Sequence, residues 1–153
     1  VIDLYQDKTP KTVNNFVFLA LNHYFDSIIF HRVLDNFMAQ TGDPTGTGTS
    51  GSGQKLKAEF NDVKHTRGVV SMARAASPDS ADSQWFIVFD DASFLDGQYT
   101  AWGKVTEGME YVDRIKKGAS NRNGEVSDPD KMISLRVAAD AEAANAAPVA
   151  AAQ

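Results

Sequence analysis

Short runs rich in Val, Ile, Phe, Trp and Tyr recur along this chain, each cut off by Gly, Pro, Asp, Asn or Ser. They are Ile28–Leu34, Phe37–Thr41, Gly68–Ala73, Trp85–Phe89, Tyr99–Val105 and Lys131–Val137, with a weaker one at Leu56–Phe60 and a strand end at Val1–Tyr5. That texture is the texture of strands. Only two stretches carry helical spacing. In the first, Thr9 takes the N-cap position and Pro10 the first helical position, and Val13, Phe16, Val17 and Ala20 fall on one face. The second runs from about Thr106 to Lys117 with Met109, Val112 and Ile115 as its stripe and Gly118 as its stop. Many strands and two helices do not make alternating βαβ units. They predict a mostly β, antiparallel barrel or sandwich with helices closing its ends.

At 153 residues the chain is one domain with room for a core. Residues 138–153 are the exception. They are alanine-rich with no apolar stripe to dock, and read as a solvated, mobile tail. The net charge is −5, and two of the acids, Asp140 and Glu142, lie in that tail. No Lys/Arg cluster is present, so nucleic acid is not an expected partner. The absence of cysteine removes disulfides, thiol nucleophiles and Cys-based metal sites together. No apolar run reaches the roughly 20 residues of a membrane span. The chain opens at Val1 without methionine, so an upstream segment is expected, and a targeting signal could lie in it; the cytoplasm is the expected compartment, with the periplasm as the alternative.

Gly46-Thr-Gly48-Thr-Ser-Gly51 fits the dinucleotide pattern G-x-G-x-x-G, but Asp43-Pro44 precedes it and Ser52-Gly53-Gln54 follows, which is poor material for starting a helix. It reads as a surface loop. His23, His31 and His65 lack metal-ligand spacing, and no serine sits in a G-x-S-x-G elbow. No metal and no cofactor are expected. What remains is binding, or a reaction that makes and breaks no covalent bond.

The informative stretch is Phe30-His-Arg-Val-Leu-Asp-Asn-Phe-Met-Ala-Gln-Thr-Gly-Asp43. Period-2 alternation puts Arg32 on one face with Phe30 and Ile28, Met38 with Gln40, and Gln84 with Phe86. A guanidinium, two amides, a ring and a thioether then meet on one sheet. Spacing alone also leaves open, and favours, a structural ion pair for Arg32 and loop caps for the glutamines.

Those residues resemble the cyclophilin signature, and further motifs follow in family order. They are Gly68-Val-Val-Ser-Met-Ala-Arg-Ala75, Ser83-Gln-Trp-Phe-Ile87, Phe94-Leu-Asp-Gly97 and Trp102-Gly-Lys-Val105. Thr9-Pro-Lys-Thr12 and Asn15-Phe16 also resemble the family's first helix, and the similarity spans Val1 to Val137. The resemblance implies an eight-stranded β-barrel capped by two helices. The family's first strand, and part of its second, would lie upstream of Val1, since a barrel lacking a strand exposes an edge. It implies peptidyl-prolyl cis/trans isomerisation on proline-containing peptides and unfolded or partly folded proteins, by a monomer that assists folding.

Position by position, Arg32 matches the catalytic arginine and Gln40 the glutamine that orients it. Phe37, Met38, Phe86 and Leu95 match the proline pocket. Ala73, Arg74, Ala75 and Gln84 match the stretch along which substrate backbone lies, and His31 matches a site-lining histidine. Three positions depart from the common pattern: Arg74 replaces asparagine, Phe94 tryptophan, and Tyr99 histidine. At position 94 the change removes an indole donor, which implies weakened cyclosporin binding. The alternative function is a proline-peptide-binding or assembly module with incidental turnover.

Overall fold

The computed structural model describes residues 1–139. The predicted tail therefore lies outside the described residues except for Ala138 and Ala139. Six strands form one antiparallel sheet: β1 (Ile2–Leu4), β2 (Arg32–Leu34), β3 (Met38–Thr41), β4 (Val69–Met72), β5 (Trp85–Val88) and β6 (Ala101–Val105). Their order is β1-β6-β4-β5-β3-β2. The central β4 and β5 are buried at every position, as their unbroken apolar runs require.

Among the described residues the sheet has two edges, β1 and β2, so the eight-stranded barrel is corrected to a six-stranded sheet that does not close. Two expected strands are missing, and their backbone donors show why. The Ala58 N–H goes to the Asp79 carboxylate and the Glu59 N–H to the Thr100 hydroxyl, leaving Leu56 a lone bridge to Ala81. Lys131 makes one bridge to Ile29, and the Met132 N–H reaches the Ile28 carbonyl. A backbone group committed to a side chain or to one local bridge cannot extend a ladder.

The run Ile28–Leu34 is likewise broken. The Phe30 N–H turns to the Asp130 carbonyl, and Phe30 packs with Val33, Ala39, Phe89 and Val126. Phe30 and Ile28 therefore do not share a face with Arg32. Ile29 and His31 do.

Helix α1 (Pro10–Leu21) lays Val13, Phe16, Leu19 and Ala20 on the sheet face carrying Val70, Met72, Trp85, Ile87 and Trp102. Phe16 is the centre of that core, with ring centroids 4.3 Å from Trp102, 5.7 Å from Trp85 and 5.2 Å from Phe25. Thr9 holds the N-cap position, but its hydroxyl donates to the Tyr5 carbonyl. The cap comes instead from Glu59, whose carboxylate accepts the Thr12 N–H and hydroxyl at 2.7 Å each and the Lys11 N–H at 3.2 Å. A carboxylate there also meets the positive end of the helix dipole.

The second helix is much shorter than its periodicity implies. α2 covers Met109–Val112, after Gly108 at φ 90°. Beyond it the Arg114 and Ile115 N–H groups bond back to Tyr111 and Val112, a three-residue spacing that tightens the chain out of α geometry. Met109, Val112 and Ile115 still pack on the core as their stripe predicts.

Candidate active site

The register of the sheet builds the site. Arg32 on β2 stands opposite Gln40 on β3, and Gln40 stands opposite Phe86 on β5. Arginine offers only donors, so its Nη1–H must meet the Gln40 amide oxygen, which it does at 3.2 Å. That fixes the amide's other end: Gln40 Nε2–H donates to Gln84 Oε1 at 2.9 Å, and Gln84 Nε2–H donates to the Ser50 carbonyl at 3.0 Å. A directed chain of bonds thus runs from the guanidinium across three segments of the protein.

Two more donors of Arg32 are taken by one residue that the sequence reading missed. The Asn123 carbonyl accepts Nε–H at 3.0 Å, and Asn123 Oδ1 accepts from Nη2 at 3.1 Å. Both acceptors face the same way because Asn123 is left-handed, φ 55°, a conformation that Asn tolerates. Asn123-Gly124 reads locally as a turn, and nothing local pairs it with a residue 91 positions earlier. Of five guanidinium N–H groups, three are committed and two remain. Burial pulls the Arg32 pKa down, yet arginine stays charged at physiological pH.

Arg32 also lines a pocket of about 140 Å³, together with Phe37, Met38, Gln40, Ala73, Arg74, Phe86, Leu95 and Tyr99. Nine of the thirteen sequence-selected residues therefore meet around one pocket. Gln84 and Ala75 line an adjoining cleft of about 260 Å³ together with Gln40, Ala73, Arg74 and the 48–51 loop. His31 lies on the other side of Arg32, in a cleft of about 730 Å³ shared with Ile29, Arg122 and Asn123. Phe94 is not among the pocket's lining residues. The residue is 69% exposed, and its ring leans on Phe37 with centroids 5.5 Å apart, at the rim.

The cyclophilin-type peptidyl-prolyl cis-trans isomerase/CLD family model matches residues 1–137. The chain belongs to this family. A probable peptidyl-prolyl cis-trans isomerase of Brucella suis is 44% identical, with 91% of this chain and 77% of that one aligned. Peptidyl-prolyl cis-trans isomerase-like 1 of Aspergillus oryzae is 40% identical, over 92% of this chain and 90% of the other. A cyclophilin of Cryptosporidium parvum, crystallised in the presence of the dipeptide Ala-Pro, superposes with a TM-score of 0.79 at 30% identity, covering 87% of this chain and 88% of that one. The activity of this cyclophilin is accordingly peptidyl-prolyl cis/trans isomerisation.

Arg74 and Tyr99, two of the three positions expected to depart from the common pattern, meet in the structure. Arg74 folds back on its own loop: Nε and Nη2 donate to the Gln98 carbonyl, and Nη1 to those of Ala75 and Ala76. The guanidinium carbon lies 4.5 Å from the Tyr99 ring centroid. Arg74 and Tyr99 therefore pack on each other and tie one wall of the cleft to the next.

The glycine loop is settled by a carboxylate. Asp43 is fully buried and accepts the N–H groups of Thr45, Gly48 and Ser50 at 2.7–3.1 Å. Its own burial opposes ionisation, but the donors from Thr45, Ser50 and Gly48 win and hold its pKa at about 2. The loop amides that a phosphate would need are already occupied, and no helix follows. Asp82 holds the loop's far side through the Ser52 and Gly53 N–H groups, each at 2.8 Å. Gly42, entering the loop at φ 99°, has no room for a β-carbon against the Ser83 carbonyl.

His31 is buried, and its Nδ1 has no partner among the described residues. Burial first, and then the Arg32 charge, lower its pKa against the pull of Asp43, so the ring is neutral.

Proposed function

We propose that Arg32 is the catalytic residue of this cyclophilin and that the pocket of Phe37, Met38, Phe86 and Leu95 holds the substrate's proline ring. An X–Pro bond is protected by a rotation barrier of about 18–20 kcal/mol, the resonance of the amide. Halfway through rotation that resonance is lost, and the prolyl nitrogen becomes pyramidal with a localised lone pair. A donor aimed at this nitrogen favours the transition state over both planar states. Arg32 is such a donor, permanently charged and set beside the pocket. The ring stays gripped while the preceding carbonyl swings, with the backbone of the substrate along 73–75 and Gln84. A barrier lowered by about 7 kcal/mol corresponds to roughly 10⁵-fold acceleration.

One observation carries the reading. Three of five guanidinium donors are spent on fixing the group, to Gln40 and twice to Asn123, and two are left on a side chain that lines the pocket together with Phe37, Met38, Phe86 and Leu95. A structural ion pair would need a carboxylate partner, and none of the salt bridges among the described residues includes Arg32. The substrates that fit are exposed proline-containing segments of unfolded or partly folded chains.

The test is Arg32→Ala in an NMR exchange or protease-coupled assay on a short Ala-Pro peptide. Turnover, as kcat/KM, should fall by about 100- to 1,000-fold, about 3–4 kcal/mol of transition-state stabilisation, with the fold intact. Wild-type turnover in the folded variant would falsify the assignment.

A further inference from the structure

Behind the proline pocket lies a serine–histidine–aspartate arrangement that the mechanism does not use. His65 is 1% exposed. Its Nδ1 lies 3.0 Å from Asp96 Oδ1 and its Nε2 lies 2.9 Å from Ser71 Oγ. Asp96 is ionised, since the His65 backbone N–H at 2.7 Å and the ring together hold its pKa low. The Asp96 carboxylate can only accept, so the proton sits on Nδ1, and Nε2 accepts from the Ser71 hydroxyl. This is the wiring of a nucleophilic triad. Ser71 Oγ cannot serve as a nucleophile, however, because Ser71 is fully buried in a strand with no exposed position.

What the arrangement does hold is a short turn. Ser93–Leu95 is a single 3-10 turn between Ala92 and Asp96, and it carries Phe94 and Leu95. A turn of three residues has too few bonds of its own to fix its place. His65 clips it at both ends: its carbonyl accepts the Ala92 N–H at 2.8 Å, and its main-chain N–H and ring donate to Asp96. The same ring lies behind Phe86, with centroids 6.4 Å apart and planes at 23°. Ser71, at its other end, stands opposite Phe86 in the sheet.

We propose that His65 is a positioning residue for the proline pocket: it sets the distance between the Leu95 wall and the Phe86 wall. This rests on the assignment of that pocket to the proline ring. Loosening a wall weakens the grip on the ring equally in the planar and rotated states. The loss therefore falls on KM and spares kcat, the opposite of what removing Arg32 does.

Three variants test it, with an Ala-Pro peptide as probe and kcat and KM separated by exchange NMR. His65→Phe keeps a flat ring to stack on Phe86, slightly enlarged, but loses both ring bonds. Asp96→Ala removes the outer clip at a partly exposed position, and decides the matter if His65→Phe does not fold. His65→Asn places an amide N–H where Nδ1–H stood. KM should rise about 5- to 10-fold in the first two with kcat within twofold, and His65→Asn should stay within about twofold of wild type. Wild-type KM in folded His65→Phe and Asp96→Ala, whatever their Tm, overturns the proposal. The Leu95 methyl resonances of the wild type serve as the control. If they move on adding peptide while the variants bind normally, only the role of His65 is lost. If they do not move, the pocket assignment falls and takes this role with it.

Discussion

Replacing Asn123 by glycine isolates one bond that holds the guanidinium of Arg32. Glycine keeps the left-handed backbone and the carbonyl that accepts Nε–H at 3.0 Å, and deletes only Oδ1, the acceptor at 3.1 Å from Nη2. A hydrogen bond to a charged group is worth about 1.5–3 kcal/mol, but this one is exposed to water, which argues for about 1 kcal/mol. If that bond keeps Arg32 aimed at the prolyl nitrogen, kcat should fall about fivefold. KM should stay within twofold, because the ring pocket is untouched. Asn123→Ala loses the same acceptor and adds roughly 1–2 kcal/mol of left-handed backbone strain, so its Tm should drop by about 2–8 °C further. Asn123→Asp keeps the oxygen and tolerates the backbone, so it should recover kcat. The assay is exchange NMR on an Ala-Pro peptide at saturating and limiting concentrations, with Tm from calorimetry. Wild-type kcat in Asn123→Gly would refute the argument, since the side-chain bond would then be irrelevant to aim.

Phe94→Trp restores an indole donor at a rim position that is 69% exposed, so cyclosporin should inhibit only about 5- to 12-fold better, from about 1–1.5 kcal/mol, with turnover changed less than threefold. Equal inhibition of the two proteins would show that this donor does not matter here. Gly42→Ala forces a side chain into φ 99° and against the Ser83 carbonyl, at a cost of about 3 kcal/mol in unfolding free energy measured by urea titration. A change under 1 kcal/mol would contradict the close approach. His31 and His65 have pKa values depressed chiefly by burial, so the unfolded chain binds protons that the folded chain refuses. Stability should be level above pH ~6.5 and should fall as pH drops below it toward the folded pKa values, by up to about 1.4 kcal/mol per pH unit for each histidine. Denaturant midpoints that rise on acidification from pH 7 to 5 would overturn this.

Local pattern determined a good part of this protein. Alternation and branched residues marked β3, β4, β5 and β6, and helical spacing with Pro10 at the first position marked α1, because these signals depend on neighbours within a few residues. Sequence order also placed Arg32, Gln40 and Phe86 as residues to be gathered, and cross-strand register then put them in line.

Tertiary structure decided what local pattern cannot encode: where each backbone donor finds its acceptor. Glu59 caps a helix from 47 residues away while Thr9, the obvious cap, bonds elsewhere, and the Ala58 and Glu59 N–H groups, taken by the Asp79 and Thr100 side chains, stop 56–60 from being a strand. The helical stripe over 106–117 packs as predicted, yet only Met109–Val112 is α-helix, because a stripe reports which side is buried and not which carbonyl is reached. Asn123 and His65 look like a turn residue and a scattered histidine in the sequence. They become the anchor of Arg32 and the clip of the Leu95 turn because the fold brings partners 91 and 31 residues away within 3.0 Å of them.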